Sequence, residues 1–353
     1  MKKTLIASAV AAAALSTSAF AEEYADKLDA RLALMPTVYG NIQLAWAHTD
    51  MDPGNSETTG LVDNGSTIGF KHSHEISPGL TGFIKAELEF DADDKAGNGG
   101  LNAFDEAYIG VKGDFGKVWV GSDDSVYEQN IDYVVNFFEY AEYNIGGSYS
   151  TGEGDLVQYV SPSMGGFSAF GAVQINSNEV QGSAYPYQLG VSYAVDAVTV
   201  ALAMDSNDGS TAYSKGAACV TAPDTVVLGV VVPGVETCSA SDVNNENTYG
   251  LRIAYEMDNV MVSGEYQTRS DVQNQFGLIG VYTMGANQFA LAYEWMESDA
   301  PGSKDEDSTV SLQALHNLSD NMYVYTEAYF SNKDDGTNDQ DIAQLVLGAT
   351  YVF

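Results

Sequence analysis

Thr248-Tyr249-Gly250-Leu251-Arg252-Ile253-Ala254-Tyr255-Glu256-Met257-Asp258-Asn259-Val260-Met261-Val262-Ser263-Gly264-Glu265-Tyr266-Gln267-Thr268-Arg269 is the stretch that decides the fold. In its first half Tyr249, Leu251, Ile253 and Tyr255 fall on one side, and Thr248, Gly250, Arg252, Ala254 and Glu256 on the other. In its second half Val260, Val262, Gly264 and Tyr266 oppose Ser263, Glu265, Gln267 and Arg269. Alternation of period two on both sides of a short polar break predicts two strands joined by a tight turn. The polar side carries full charges in mid-strand, which are costly in a dry core and tolerable beside water.

The same pattern recurs outward in both directions. Ile84, Ala86, Leu88 and Phe90 alternate with Lys85, Glu87 and Glu89. Alternation predicts strands at 37–48, 66–76, 80–91, 102–113, 117–122, 153–161, 166–176, 185–195, 197–205, 246–257, 260–269, 274–283, 287–297, 307–317, 321–331 and 341–353. The connections sort into two kinds. Ser77-Pro78-Gly79, Asp114-Phe115-Gly116, 162–165, Asp196, Asp258-Asn259, Gly285-Ala286 and Ser319-Asp320 are tight turns. Between them stand mostly longer, polar loops at 49–65, 92–101, 123–152, 177–184, 206–245, 270–273, 298–306 and 332–340. Short turns on one side and long loops on the other predict an all-β, sixteen-stranded antiparallel transmembrane barrel whose apolar face meets lipid and whose polar face meets a lumen. A ring of that size is too wide for side chains to fill.

Residues 1–21 read as a secretory signal peptide: Lys2 and Lys3, an apolar run from Leu5 to Leu15, then Ala19-Phe20-Ala21. Residues 22–36 are expected to form a short periplasmic segment and 37–353 the barrel. The formal charge is −35, and the leader holds lysines but no acids, so the exported part is more acidic still. Such a surface excludes nucleic acid as a partner and gathers cations. No apolar run beyond the leader is long enough for a membrane helix. Export favours a disulfide between Cys219 and Cys238, the two cysteines present. Closing that loop contributes on the order of 3 kcal/mol. Trp46, Trp295, Tyr185, Tyr187 and Tyr351 are expected in the aromatic belts at the membrane surfaces.

Several stretches resemble the Gram-negative general porin family, the trimeric sixteen-stranded kind. They are Tyr39-Gly40-Asn41-Ile42, Ile68-Gly69-Phe70-Lys71 with Leu80-Thr81-Gly82, the run from Ala107 to Gly116, and Gln158 to Pro162 with Gly165-Gly166-Phe167. Gly348, Tyr351 and the terminal Phe353 resemble the last-strand signal read by the outer-membrane assembly machinery. Val346 departs from that signal, which usually has a polar residue there. The resemblance implies a homotrimer in the outer membrane of a Gram-negative bacterium, surrounded by lipid. It also implies that the third extracellular loop folds into the barrel and narrows it.

That loop is 123–150 here, and Asp123, Asp124, Glu128, Asp132, Glu139 and Glu142 are its constriction acids. A short helix within 125–141 would pack Tyr127, Ile131, Val134, Val135 and Phe138 on the wall. Lys71, Lys85 and Lys112 are the candidate facing bases, with Arg252 and Arg269 more distant. Glu87, Glu89, Glu106, Trp119 and Glu265 complete the expected pore wall. The function expected is passive diffusion of small hydrophilic solutes and ions, with cations preferred. The alternative is an oligosaccharide-type selective channel using inward Tyr323, Tyr325 and Tyr329 with Trp119. No cofactor or metal is required, and His48, His72, His74 and His316 sit in no catalytic motif.

Overall fold

The computed structural model describes residues 35–93, 101–175, 185–208, 218–221, 225–227, 230–232, 236–239, 246–300 and 302–353. The expected leader and residues 22–34 lie outside the described residues, as do parts of the 92–101, 177–184 and 206–245 loops. The first strands are β1 (Thr37–Asp52), β2 (Glu57–Asp63), β3 (Thr67–Ser77), β4 (Leu80–Phe90), β5 (Leu101–Gly113) and β6 (Gly116–Ser122). A helix, α1 (Val126–Ile131), and a 3-10 turn at Val135–Phe137 follow. Then come β7 (Leu156–Val160), β8 (Phe167–Gln174), β9 (Tyr187–Val195) and β10 (Val198–Asp205). After four short strands, β11 (Ala218–Thr221), β12 (Thr225–Val227), β13 (Val230–Val232) and β14 (Glu236–Ser239), the wall resumes. It continues with β15 (Thr248–Met257), β16 (Val260–Arg269), β17 (Gln273–Met284) and β18 (Asn287–Ser298), and ends with β19 (Glu306–Ser319), β20 (Met322–Asp334) and β21 (Asp339–Val352).

Each wall strand pairs antiparallel with its neighbour, and β21 returns to β1 in a register from Asn41↔Val352 to Asp52↔Asp341. The terminal residue completes the seam: Gly40 N donates to Phe353 O at 3.1 Å, and Phe353 N to Gly40 O at 3.0 Å. Closure leaves the barrel sheet without a free edge among the described residues, as backbone crossing a hydrocarbon layer requires.

Two expectations change. The 49–65 loop contains β2, which pairs with β1 from Leu44↔Asp63 to Thr49↔Glu57, while β3 pairs with the same strand from Thr37↔Lys71 to Asn41↔Thr67. β2 and β3 are therefore one stave interrupted at 64–66, and the seventeen strands of the sheet make sixteen staves. The Asp63 carboxylate stitches the break, accepting from Gly65 N at 3.0 Å, Ser66 N at 2.9 Å and Ala92 N at 3.1 Å. Glu57-Thr58-Thr59-Gly60 lacks the apolar alternation that reveals strands. The 206–245 excursion likewise holds strands, with β12–β13 nested in sequence within β11–β14 and Cys219 opposite Cys238 in the outer ladder.

Polarity is inverted relative to a water-soluble sandwich. Ile253, Val262, Leu278, Leu291, Leu312, Leu345 and Leu347 are exposed on the outside. Gln188, Thr248, Glu265, Gln267, Gln275, Glu294, Gln313, Glu327 and Gln344 are buried inside. Aspartates in left-handed conformation turn two hairpins, Asp196 at φ 51° and Asp258 at φ 54°. Tyr185, Tyr187 and Tyr351 are exposed. Trp46 and Trp295 are half-buried, and Trp295 Nε1 donates to Glu306 at 2.8 Å. Val346 is fully buried in the interior cluster with Val134, Phe138, Tyr325 and Tyr329, so an apolar residue at that position packs the loop.

Candidate functional site: a loop across the lumen

The segment from Asp123 to Asp155 lies inside the barrel because the wall satisfies its backbone. Trp119, on β6 and 2% exposed, donates through Nε1 to Asp123 at 2.6 Å. Ser125 caps α1 by accepting from Glu128 N at 3.2 Å. The first helical amides would otherwise lack partners, and two wall glutamines supply them: Val126 N to Gln158 Oε1 at 2.9 Å and Tyr127 N to Gln188 Oε1 at 3.0 Å. Val126, Tyr127 and Ile131 pack with Trp119, Leu156, Phe170, Ala172, Ala201 and Ala203. Gly250 makes this approach possible, since a Cβ there would lie 2.6 Å from both Ile131 Cγ2 and Tyr127 Oη.

Beyond α1 the chain steps from one wall carboxyl to the next. Glu265 accepts from Tyr133 N at 2.9 Å and Val134 N at 3.2 Å. Glu327 accepts from Glu139 N at 2.8 Å and Tyr140 N at 3.0 Å. Glu294 accepts from Ile145 N at 3.2 Å and from the Asn144 amide. Asp205 accepts from Thr151 N at 3.3 Å and Thr151 Oγ1 at 2.8 Å. Val134, Phe138 and Tyr143 fill the space against Ala45, Ala47, Ile279, Val281, Tyr325 and Tyr329.

These contacts redistribute the residues expected at the pore. Glu265 is 2% exposed and anchors the loop rather than lining the lumen. Asp132 is 1% exposed, accepting from Gly147 N at 3.0 Å and Gln267 Nε2 at 2.9 Å. Arg269 is buried and donates to Ser148 O at 3.2 Å. Trp119 lies beneath α1, and Tyr325 and Tyr329 lie beneath the loop, so none of the three presents a stacking face to a solute. Asp123 is likewise buried. Asp124, Glu128, Glu139 and Glu142 keep solvent exposure, as does Tyr323, whose hydroxyl donates to Glu139 at 2.9 Å.

Four lysines stand on the wall from β3 to β6. Lys71 stands opposite Lys85, and Lys112 opposite Lys117. Lys85 Nζ is 2.5 Å from Glu106 and 3.9 Å from Glu87. Lys117 lies 3.8 Å from the Trp119 ring centre, with Phe83 at 5.3 Å and Tyr108 at 5.5 Å. Across the lumen, the Arg252 guanidinium covers the Tyr133 ring at 3.9 Å. The β4–β5 register jumps from Ala86↔Ala107 to Leu88↔Phe104, so Asp105 and Glu106 together oppose Glu87. That bulge brings the three carboxylates within 4.8 Å of one another, and Asp124, Glu128 and Glu153 form a second such trio. Glu89 is exposed beside the first. Asp105, Lys117 and Glu153 escaped the sequence reading because the bulge breaks alternation and the loop brings distant acids together.

Burial raises the pKa of six acids on the loop. Asp123 is pushed up to about 6, the Trp119 hydrogen bond opposing. Glu128 is pushed up to about 7 by burial, with Asp124 and Glu153 adding like charge. Asp124, Asp132, Glu139 and Glu153 move the same way, burial leading in each.

Residues 7–337 match the family model described as Gram-negative porin. The chain is 28% identical to a monosaccharide porin of a Halomonas species, with both chains covered in full. It is 24% identical to a chitoporin of Vibrio furnissii, covering 100% of this chain and 99% of the relative. Among solved structures, the anion-selective porin of Comamonas acidovorans superposes with a TM-score of 0.66 at 19% identity, covering 90% of this chain and 99% of that one. The Salmonella typhi OmpF complex with daunomycin superposes with a TM-score of 0.65 at 16% identity, covering 90% and 97%. At these identities the superpositions speak to the fold.

Proposed function

The chain belongs to the Gram-negative porin family and is an outer-membrane porin channel, and from that premise we propose that it conducts small hydrophilic solutes passively and favours cations. The observation that carries the preference is the balance of charge at the loop. Asp124, Glu128, Glu139, Glu142 and Glu153 face the lumen beside Glu87, Asp105 and Glu106. Of the opposing bases, Lys85 is paired with Glu106 and Lys117 is lodged among aromatic rings. Selectivity in such a pore follows diameter and lining charge. Reversal potentials across a planar bilayer under a KCl gradient test the reading. The expected sign corresponds to K⁺ over Cl⁻, declining as salt shortens the screening length from about 10 Å at 0.1 M. A Cl⁻-favouring sign at low salt overturns it.

A second reading, a channel selective for saccharides, draws support from the relatives named monosaccharide porin and chitoporin. Trp119, Tyr325 and Tyr329 are covered, so its aromatic surface is left to Tyr323 and to the half-buried rings of the loop. The proposal includes a homotrimer in lipid, checked by mass analysis in detergent. It also includes recognition of Gly348, Tyr351 and Phe353 by the assembly machinery, checked by deleting Phe353 and measuring outer-membrane yield. Diffusion through the pore needs no cofactor and no catalytic group.

A further inference from the structure

We propose that the lumen edge of the loop carries a subsite for neutral pyranose sugars, with Phe137 as its stacking face. This rests on the channel reading and gives its saccharide alternative a residue. The 3-10 turn at Val135–Phe137 divides two adjacent rings between two tasks. Phe138 is 5% exposed and packs edge-on against Tyr329, 6.0 Å between centres, which fixes the turn to the wall. Phe137 is held from two sides, by Tyr133 at 5.9 Å and Phe138 at 5.5 Å, yet stays half-exposed. Since this loop lies within the barrel, the solvent that Phe137 meets is the lumen. A fixed aromatic ring wetted at the narrowing of an aqueous pore is apolar surface available to a passing solute.

The surroundings select the solute. Arg252 covers Tyr133, so the second ring is braced and a cationic head is already in place there. Polar groups neighbour Phe137 along the loop: exposed Asn136, whose amide donates to Glu128 Oε1 at 3.2 Å, and, two residues beyond Phe137, Glu139, which accepts from the Tyr323 hydroxyl at 2.9 Å. A pyranose has an apolar C–H face and a rim of hydroxyls that donate and accept, matching an aromatic plane edged by carboxylates, an amide and a phenol. No charge on the solute is needed, and an anion would be repelled by Glu128 and Glu139. Transport also requires that binding be weak enough to release the solute. One ring with partly engaged neighbours meets that condition better than an enclosed pocket.

The test uses the full channel in a planar bilayer at 1 M KCl, with glucose or N-acetylglucosamine added to one side. The expected result is sugar-dependent interruption of the ion current that saturates with concentration. Phe137→Ala should raise the half-blocking concentration at least tenfold in a pore that still conducts KCl, and Phe137→Trp should retain block. A conducting wild-type channel that neither sugar interrupts overturns the subsite and leaves the channel reading standing. So does block of equal strength in Phe137→Ala. A membrane that stays non-conducting overturns the channel reading and this one with it.

Discussion

Replacing Glu327 isolates how the wall holds the loop. Its Oε1 accepts from Glu139 N at 2.8 Å and Gln313 Nε2 at 2.9 Å, and its Oε2 from Tyr140 N at 3.0 Å and Tyr329 Oη at 2.6 Å. Glu327→Ala removes both acceptors of the loop amides. Hydrogen bonds to charged groups contribute roughly 1.5–3 kcal/mol each, so the two are worth about 3–6 kcal/mol before lumen water re-solvates the amides. Taking the lower end, about 3 kcal/mol, local opening becomes roughly a hundredfold more frequent. Glu327→Gln preserves shape but turns an NH₂ group toward a backbone N–H in either orientation, so it should loosen the loop at least as much. Hydrogen exchange read at Glu139 and Tyr140 checks this. Protection there should fall by about two orders of magnitude, while amides of β16 and β17 keep theirs. Current noise should rise as the segment moves in the lumen. Unchanged protection in both variants refutes the anchoring argument.

The remaining predictions follow from the same geometry. Cation preference should weaken as pH falls through about 7, because Glu128 is raised to that value and loses charge below it; Glu128→Gln should flatten that part of the titration of reversal potential. Gly250→Val should displace α1, since even a Cβ meets Ile131 and Tyr127 at 2.6 Å. Overpacking of this kind costs about 1–3 kcal/mol, and it should appear as faster exchange in 126–131 while the amides of β17 and β18 keep their protection. Non-reducing peptide mapping should recover Cys219 joined to Cys238, because directly opposed residues of an antiparallel pair fall within disulfide reach; free thiols at both positions refute it.

The barrel was legible because membrane strands write their two environments into alternate positions. The Tyr249–Tyr255 face and the Lys85–Glu89 face could be sorted without knowing their partners. β2 was not, because Thr58, Thr59 and Gly60 offer no contrast between faces, and pairing with β1 alone makes them a strand. The bulge at Glu87 hides Asp105 for the opposite reason: strict alternation has no place for the residue the chain inserts there.

The loop shows a deeper limit. Glu265, Glu294, Glu327 and Asp205 look in sequence like acids facing water. In the folded chain they are buried because a loop with only one short helix and one 3-10 turn of its own needs acceptors for its remaining N–H groups. A sequence pattern identifies which face a carboxylate is on, but not whether lumen or loop meets it there. The meeting spans 188 positions for Glu139 and Glu327. Formal charge summed over the inner face therefore overstates the field a passing ion feels. On the proposed reading, that field is set by the acids the loop leaves uncovered, Asp124, Glu128, Glu139 and Glu142 among them. Neutralising Glu128 and Glu142 should accordingly shift the reversal potential more than neutralising Glu265 and Glu294, whose loss should instead free the loop.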